Sequence, residues 1–259
     1  MSKIIAIANQ KGGVGKTTTT VNLASCLGLL GMKVLLCDLD PQGNATSGLG
    51  ISKKMVEKST YEMLIEEGEG IATAVDTKYR GVSVLPARMN LAGAEVELVK
   101  LSNREFRLKK ALEPLKDRFD YILIDCPPSL GLLTINALTA CDTVLVPIQC
   151  EYYALEGLSQ LTSTIKQVKR LYNPAIELEG VLLTMFNART NLSIQVVDEV
   201  KKYLPQKVYG TIIVRNVRLS EAPSFGQPIM EYDKASKGAQ CYMELAEEFL
   251  KNNSRKVRK

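Results

Sequence analysis

The sequence predicts a doubly wound α/β domain: a mostly parallel sheet with helices on both faces. Three observations predict it. Short apolar runs alternate with helix-patterned stretches along most of the 259 residues. Several of these runs are continuous Val, Ile and Leu, the pattern of strands buried on both faces. Neither an internal repeat nor a Gly/Ser linker interrupts the rhythm.

In order, Ile4–Ala8 reads as the first strand and Lys16–Leu30 as the first helix. Gly31 follows that helix, where a left-handed glycine cap is expected. Lys33–Cys37 is the second strand, and Pro41 closes its region because proline cannot donate to a central ladder. Residues 52–80 are the least regular and read as surface helices and loops. Strands are expected at Val82–Pro86, Tyr121–Asp125, Thr143–Pro147, Gly180–Met185 and Val208–Val214. Helices are expected at Arg104–Leu115, Gly157–Leu171 and Leu192–Tyr203, with a last one from about Ala235 to Leu250. This βαβαβ order gives one domain over residues 1–250, followed by a basic tail, 251–259, expected to be frayed.

Composition narrows the function. Hydrophobic residues make up 46% and charged residues 24%, as in ordinary globular proteins. No apolar run approaches the roughly 18 residues that span a bilayer. The chain enters a strand at once, without a signal peptide, so a cytoplasmic location is expected. The six cysteines, at 26, 37, 126, 141, 150 and 241, form no C-x-x-C pair and read as small buried hydrophobes. There is no histidine, which removes imidazole as a general base and argues against a catalytic zinc site. The net charge of +5 hints at an anionic partner.

The chemistry begins after the first strand. Residues 9–20 read Asn-Gln-Lys-Gly-Gly-Val-Gly-Lys-Thr-Thr-Thr-Thr, a glycine loop opening a helix. Such a loop turns successive N–H groups inward, which suits the phosphates of a nucleotide. Lys16 can reach the β- and γ-phosphates, and the Thr17 hydroxyl can bind Mg²⁺. The usual pattern has glycine at position 10; here Gln10 stands there and a second lysine, Lys11, begins the loop. Open parallel sheets bind ligands beyond the carboxyl ends of their strands. Asp38 and Asp40 close the second strand, and Asp125 closes Tyr121-Ile122-Leu123-Ile124 as a Walker-B carboxylate for the Mg²⁺ shell.

Lys11-Gly12-Gly13-Val14-Gly15-Lys16-Thr17-Thr18 resembles the deviant Walker-A loop of the ParA/MinD ATPases. Asp38-Leu39-Asp40-Pro41-Gln42-Gly43-Asn44 resembles the next motif of that family, and Asp125-Cys126-Pro127-Pro128-Ser129-Leu130-Gly131 its ParA-branch Walker-B segment. Gln149–Gly157 and Arg218–Ser224 resemble signatures of the chromosomal ParA, or Soj, branch. The motifs run from residue 3 to about 240, nearly the whole chain.

The resemblance implies a P-loop NTPase fold and an ATPase with ATP and Mg²⁺ as its cofactors. It implies an ATP-dependent homodimer in which Lys11 reaches the partner's phosphates, and in which Asp40 orients or activates the attacking water. Residues 11–18 and Asn216 would hold the nucleotide; Thr17, Asp40 and Asp125 would serve the metal. Asn216 follows the Val208–Val214 segment, and its amide carries the donor and acceptor that could read adenine; a simple turn residue is the other reading. No in-chain arginine finger is evident, so basal ATPase activity is expected to be weak and raised by a ParB/Spo0J-type partner.

The family also binds double-stranded DNA without sequence preference. Candidate phosphate contacts are Arg189, Lys201, Lys202 and Arg218, with Lys207 and Arg215 behind them; a solvated helix face is the other reading of the lysines. This implies a nucleoid-associated role in chromosome or plasmid partition. The alternative, a MinD-like membrane-surface ATPase, needs an amphipathic C-terminal helix. After Leu250 only Val257 is strongly apolar, so no membrane contact is expected.

Overall fold

A computed structural model describes residues 2–66, 70–151 and 154–254. Its strands are β1 (Lys3–Ile7), β2 (Val34–Asp38), β3 (Val75–Asp76), β4 (Val82–Leu85), β5 (Tyr121–Asp125), β6 (Thr143–Gln149) and β7 (Glu177–Thr184). They form one sheet in the order β3-β4-β2-β5-β1-β6-β7. Every pairing is parallel except that of the short edge strand β3 with β4.

The helices are α1 (Lys16–Leu29), α2 (Asn44–Gly48), α3 (Thr60–Ile65), α4 (Gly70–Thr73), α5 (Leu91–Leu98) and α6 (Arg107–Leu112). They continue as α7 (Leu132–Ala140), α8 (Ala154–Leu171), α9 (Asn191–Tyr203), α10 (Val217–Glu221), α11 (Ile229–Tyr232) and α12 (Lys237–Ser254). Residues of α1, α2 and α10–α12 pack with one face of the sheet; those of α3 and α5–α9 pack with the other. Both faces are covered, which explains the unbroken apolar strands. All six cysteines are buried and free.

The structure departs from the sequence reading in four places. Val208–Val214 is not a strand: it meets the sheet edge at single bridges, Val181 to Val208 and Phe186 to Val214, and through Ile213 N, which donates to the Leu183 carbonyl at 2.9 Å. Between them the N–H groups of Gly210 and Thr211 turn to the Glu248 carboxylate, so no ladder forms. Helix Arg104–Leu115 is shortened to α6, with a 3₁₀ turn at Glu113–Leu115 that carries Pro114. Helices α2, α5, α7, α10 and α11 were not expected: α2, α10 and α11 are only four or five residues long, α5 contains Gly93, and α7 is buried on most sides, so none shows a clear stripe. The final helix passes residue 250 and runs to Ser254; residues 255–259 lie outside the described residues.

Far from the loop, α12 is fastened to the sheet. Lys3 Nζ pairs with Glu179 Oε2 at 2.5 Å, and Asn253 Nδ2 donates to Glu179 Oε1 at 3.0 Å. The Glu179 side chain is only 2% exposed. Burial pushes its carboxyl up, but Lys3 and Asn253 more than offset this and hold it below the ordinary range. A depressed carboxylate contributes stability above its unfolded pKa and loses it as pH falls through its folded one. Glu179→Gln should therefore cost about 1.5–3 kcal/mol at neutral pH. Thermal melts should show that gap closing below about pH 4; a gap independent of pH would contradict the assignment.

Candidate nucleotide and metal site

The loop between β1 and α1 is shaped by its glycines and tied at both ends. Gly13 and Gly15 have φ of 72° and 88°, a region that side chains with a Cβ rarely enter. Asn9 accepts from Lys11 N at 3.0 Å and donates to the Pro147 carbonyl at 2.8 Å, which anchors the loop to β6. Thr184, at the end of β7, donates to the Val14 carbonyl at 2.8 Å. Helix α1 then starts at Lys16 with no acid in its first turn, so its positive end is left to an anion.

The two lysines differ in setting. Lys16 is 6% exposed, and its Nζ donates to the Lys11 carbonyl at 3.0 Å. Burial pushes its ammonium below the ordinary range, while Asp125 and Asp40 pull it back up. A buried ammonium held by one carbonyl is ready to exchange it for a phosphate oxygen. The Lys11 side chain is 37% exposed and meets Glu151 Oε2 at 3.4 Å. Pairs this open to solvent contribute about 0–1 kcal/mol, so Lys11 is easily released. Glu151 also accepts from Gln149 at 2.5 Å and faces Arg215 at 3.8 Å. Its motif neighbours Tyr152 and Tyr153 lie outside the described residues.

Parallel register sets Asp38 beside Asp125 at the ends of β2 and β5. Both are fully buried. Asp125 receives the Thr17 hydroxyl at 2.8 Å and the Thr20 hydroxyl at 2.9 Å. Burial, then the neighbouring Asp38, pushes the Asp125 carboxyl up, against those two donors. Burial also raises Asp38, against bonds from Thr46 and from Asp40 N. Asp38 thereby fixes the turn into α2, a supporting role. Asp40 Oδ1 accepts from Gln42 N at 2.9 Å and lines a cavity of about 410 Å³ with Gly12, Lys16 and Thr17.

These groups fit a magnesium ion. Thr17 and Asp125 supply hard oxygen donors, and two adjacent buried carboxyls gain from a cation. Mg²⁺ keeps several waters and takes phosphate oxygens as ligands, so one or two protein donors suffice for it.

A second cavity, of about 330 Å³, shares Gly15 and Thr18 with the first and continues past Met185, Val214, Asn216 and Tyr242. Its place beside the phosphate loop suits a base. Asn216 lines it, but its Oδ1 caps α10 by accepting from Arg218 N at 2.9 Å. That bond uses one lone pair of Oδ1; the NH₂ and the second lone pair are still available to a base. A third cavity, of about 380 Å³, opens on the other side of Thr17 and Thr18, between α1, α2 and residues 222–227.

Sequence reasoning missed Thr20, Thr184, Met185 and Glu151. Thr20 carried a signal, as the fourth threonine of the run and one turn beyond Lys16. Met185 carried none; its φ of 52° appears only in the structure. Gly12 is less constrained than its loop position implied. A Cβ there would meet nothing closer than Pro128 Cβ at 3.9 Å, so any crowding must come from a ligand or a second copy.

The basic candidates lie on several elements. Arg189 is exposed just before α9, and the bridge from Phe186 to Val214 brings its segment toward that of Arg218. Arg218 pairs with Glu221 at 2.9 Å and Asp233 at 3.4 Å. Lys201 and Lys202 stand at the far end of α9, about 15 Å along its axis from its start. Lys202 pairs with Glu199, and Lys207 donates to the Leu178 carbonyl.

Comparison with known proteins places this geometry. An AAA-domain family profile matches residues 2–178. The sporulation initiation inhibitor protein Soj of Bacillus subtilis is 61% identical over 97% of this chain and 100% of its own length. The chain belongs to the ParA/Soj family of chromosome-partitioning ATPases. The chromosome partitioning protein ParA of Myxococcus xanthus is 55% identical over 99% of this chain and 90% of its own. Among solved structures, cobyrinic acid a,c-diamide synthase from Mycobacterium smegmatis, with bound ADP and magnesium, superimposes with a TM-score of 0.86. It is 39% identical and covers 98% of this chain and 96% of that one. The P-loop ATPase fold expected from the sequence is thus the one observed.

Lys16→Ala should weaken ATP binding by about a hundredfold or more, because it removes a buried charge-assisted contact. Titration calorimetry with Mg-ATP checks this. Binding at the wild-type level would remove Lys16 from the site.

Proposed function

We propose that this chain is an ATP-driven dimerising switch that binds DNA without sequence preference and acts in chromosome or plasmid partition. One observation carries the proposal: a single loop holds two lysines, one buried and committed to its own site, the other solvent-facing and weakly held. One triphosphate has a use for the first. The second has no phosphate of its own to bind, and it faces out where a second copy could present one.

In this reading ATP lies along the two adjoining cavities, with its phosphates in the loop and its base toward Asn216. Lys16 and the α1 N-terminus neutralise charge as it builds on the phosphates. Thr17 and Asp125 would hold Mg²⁺, which would supply positive charge against the phosphates. Asp40 shares the phosphate cavity and orients or activates the attacking water. Lys11 leaves Glu151 and crosses to the partner's phosphates, which makes closure depend on ATP.

The DNA face would form at the nucleotide end, where Arg189 and Arg218 lie; Lys201 and Lys202 would contribute from the far end of α9. A ParB/Spo0J-type partner would raise the slow hydrolysis that resets the switch. The setting would be cytoplasmic and nucleoid-associated. The MinD-like alternative gains nothing from α12: its Tyr242, Leu245 and Phe249 are buried in the core, and no described helix is long and apolar enough to cross a membrane.

Asp40→Ala should keep ATP-dependent dimerisation and DNA binding while turnover falls by about 10²-fold or more. Size-exclusion with light scattering, beside phosphate release, reads both halves; normal turnover would remove Asp40 from the mechanism. DNA affinity should fall steeply with salt on any sequence. Arg189→Ala and Arg218→Ala should each lower the salt slope by about one. A footprint on one defined sequence would contradict non-specific binding.

A further inference from the structure

Residues 213–216 form one wall of the base-end cavity, yet they do not belong to a strand. Their segment joins the sheet edge at Val208 and again at Val214. Between Tyr209 and Ile213 the chain leaves β7, and it returns where Ile213 N donates to the Leu183 carbonyl at 2.9 Å and Arg215 N to the Phe186 carbonyl at 3.0 Å; in the gap the N–H groups of Gly210 and Thr211 point away from the ladder. Both are taken by one side chain on α12. Gly210 N donates to Glu248 Oε1 at 2.7 Å, and Thr211 N donates to Glu248 Oε2 at 2.8 Å. Two N–H groups on the two oxygens of one carboxylate make a directional, charge-assisted grip. The fit is close: a Cβ added at Gly210 would lie 3.4 Å from Glu248 Oε1.

The other end of α12 reaches the same cavity. Tyr242 lines it, and its hydroxyl lies 3.2 Å from Thr19 Oγ1 on α1. One helix therefore connects the base-end wall to the helix that carries the phosphate loop. We propose that Glu248 is a positioning residue for the base end of the nucleotide site. It touches neither base nor phosphate; together with the backbone bonds of Ile213 and Arg215 to Leu183 and Phe186, it sets where the 213–216 wall stands relative to Gly15 and Thr18. The inference rests on the nucleotide reading above.

Glu248 lies on α12, and its hydrogen bonds among the described residues go to Gly210 and Thr211, so its loss should affect the base and spare the phosphates. Glu248→Gln keeps the shape and one acceptor but turns an NH₂ against the second N–H; Glu248→Ala removes both acceptors. The test is calorimetric titration of the full chain with Mg-ATP and, separately, with magnesium and inorganic tripolyphosphate. Melting temperatures are taken alongside. For Glu248→Gln, ATP should bind about tenfold more weakly, while tripolyphosphate stays within about twofold of wild type. Unchanged ATP affinity would overturn the proposal. So would an equal loss for both ligands, which is what a merely structural role gives. If Glu248→Ala does not fold, Glu248→Gln still decides. Wild type binding tripolyphosphate as tightly as ATP would overturn the positioning role alone; wild type binding neither would remove the nucleotide reading itself.

Discussion

Asp125 receives two hydroxyls from the first turns of α1, and the arrangement of the site depends on that contact. It couples the end of a central strand to the start of the phosphate-loop helix. The loop between is then closed by its glycines and by the two outer ties at Asn9 and Thr184. The contact has a cost. Asp125 sits in full burial beside Asp38, and both carboxyls are driven up. A magnesium ion placed there would relieve that strain, so in the proposed reading the geometry that fixes the loop also favours the cation.

The parallel register explains why these groups meet. Asp38 and Asp125 are 87 positions apart in sequence yet face each other across β2 and β5. Asp38 spends its oxygens on the turn into α2, which holds Asp40 in the phosphate cavity. The two acids of one motif thus divide the work: one builds the turn and the other lines the cavity.

Much of this was legible because it rests on local pattern. The apolar runs at β1, β5 and β6 have no reading other than buried strands, and the glycine loop has few uses besides phosphate. What was hidden depends on partners far along the chain. Val208–Val214 has strand composition, but Glu248 takes two of the N–H groups that a ladder would need. Asn216 also caps α10, a second task for its amide that appears only once α10 is seen to start beside it. Lys201, Lys202, Arg189 and Arg218 read as one basic group in sequence. The length of α9 separates the lysines from the arginines, and acids beside Arg218 and Lys202 claim part of their charge. Helix α7 was missed because a helix buried on nearly all sides carries no amphipathic stripe.

The central claim is that Lys16 serves its own triphosphate and Lys11 serves a neighbour's. A crystal structure with magnesium and a non-hydrolysable ATP analogue tests it most directly. The account predicts a two-fold dimer in which each Lys11 ammonium has left Glu151 and lies within about 3 Å of a phosphate oxygen on the partner's nucleotide. A closed dimer in which Lys11 stays on its own Glu151, or points into solvent, would contradict it.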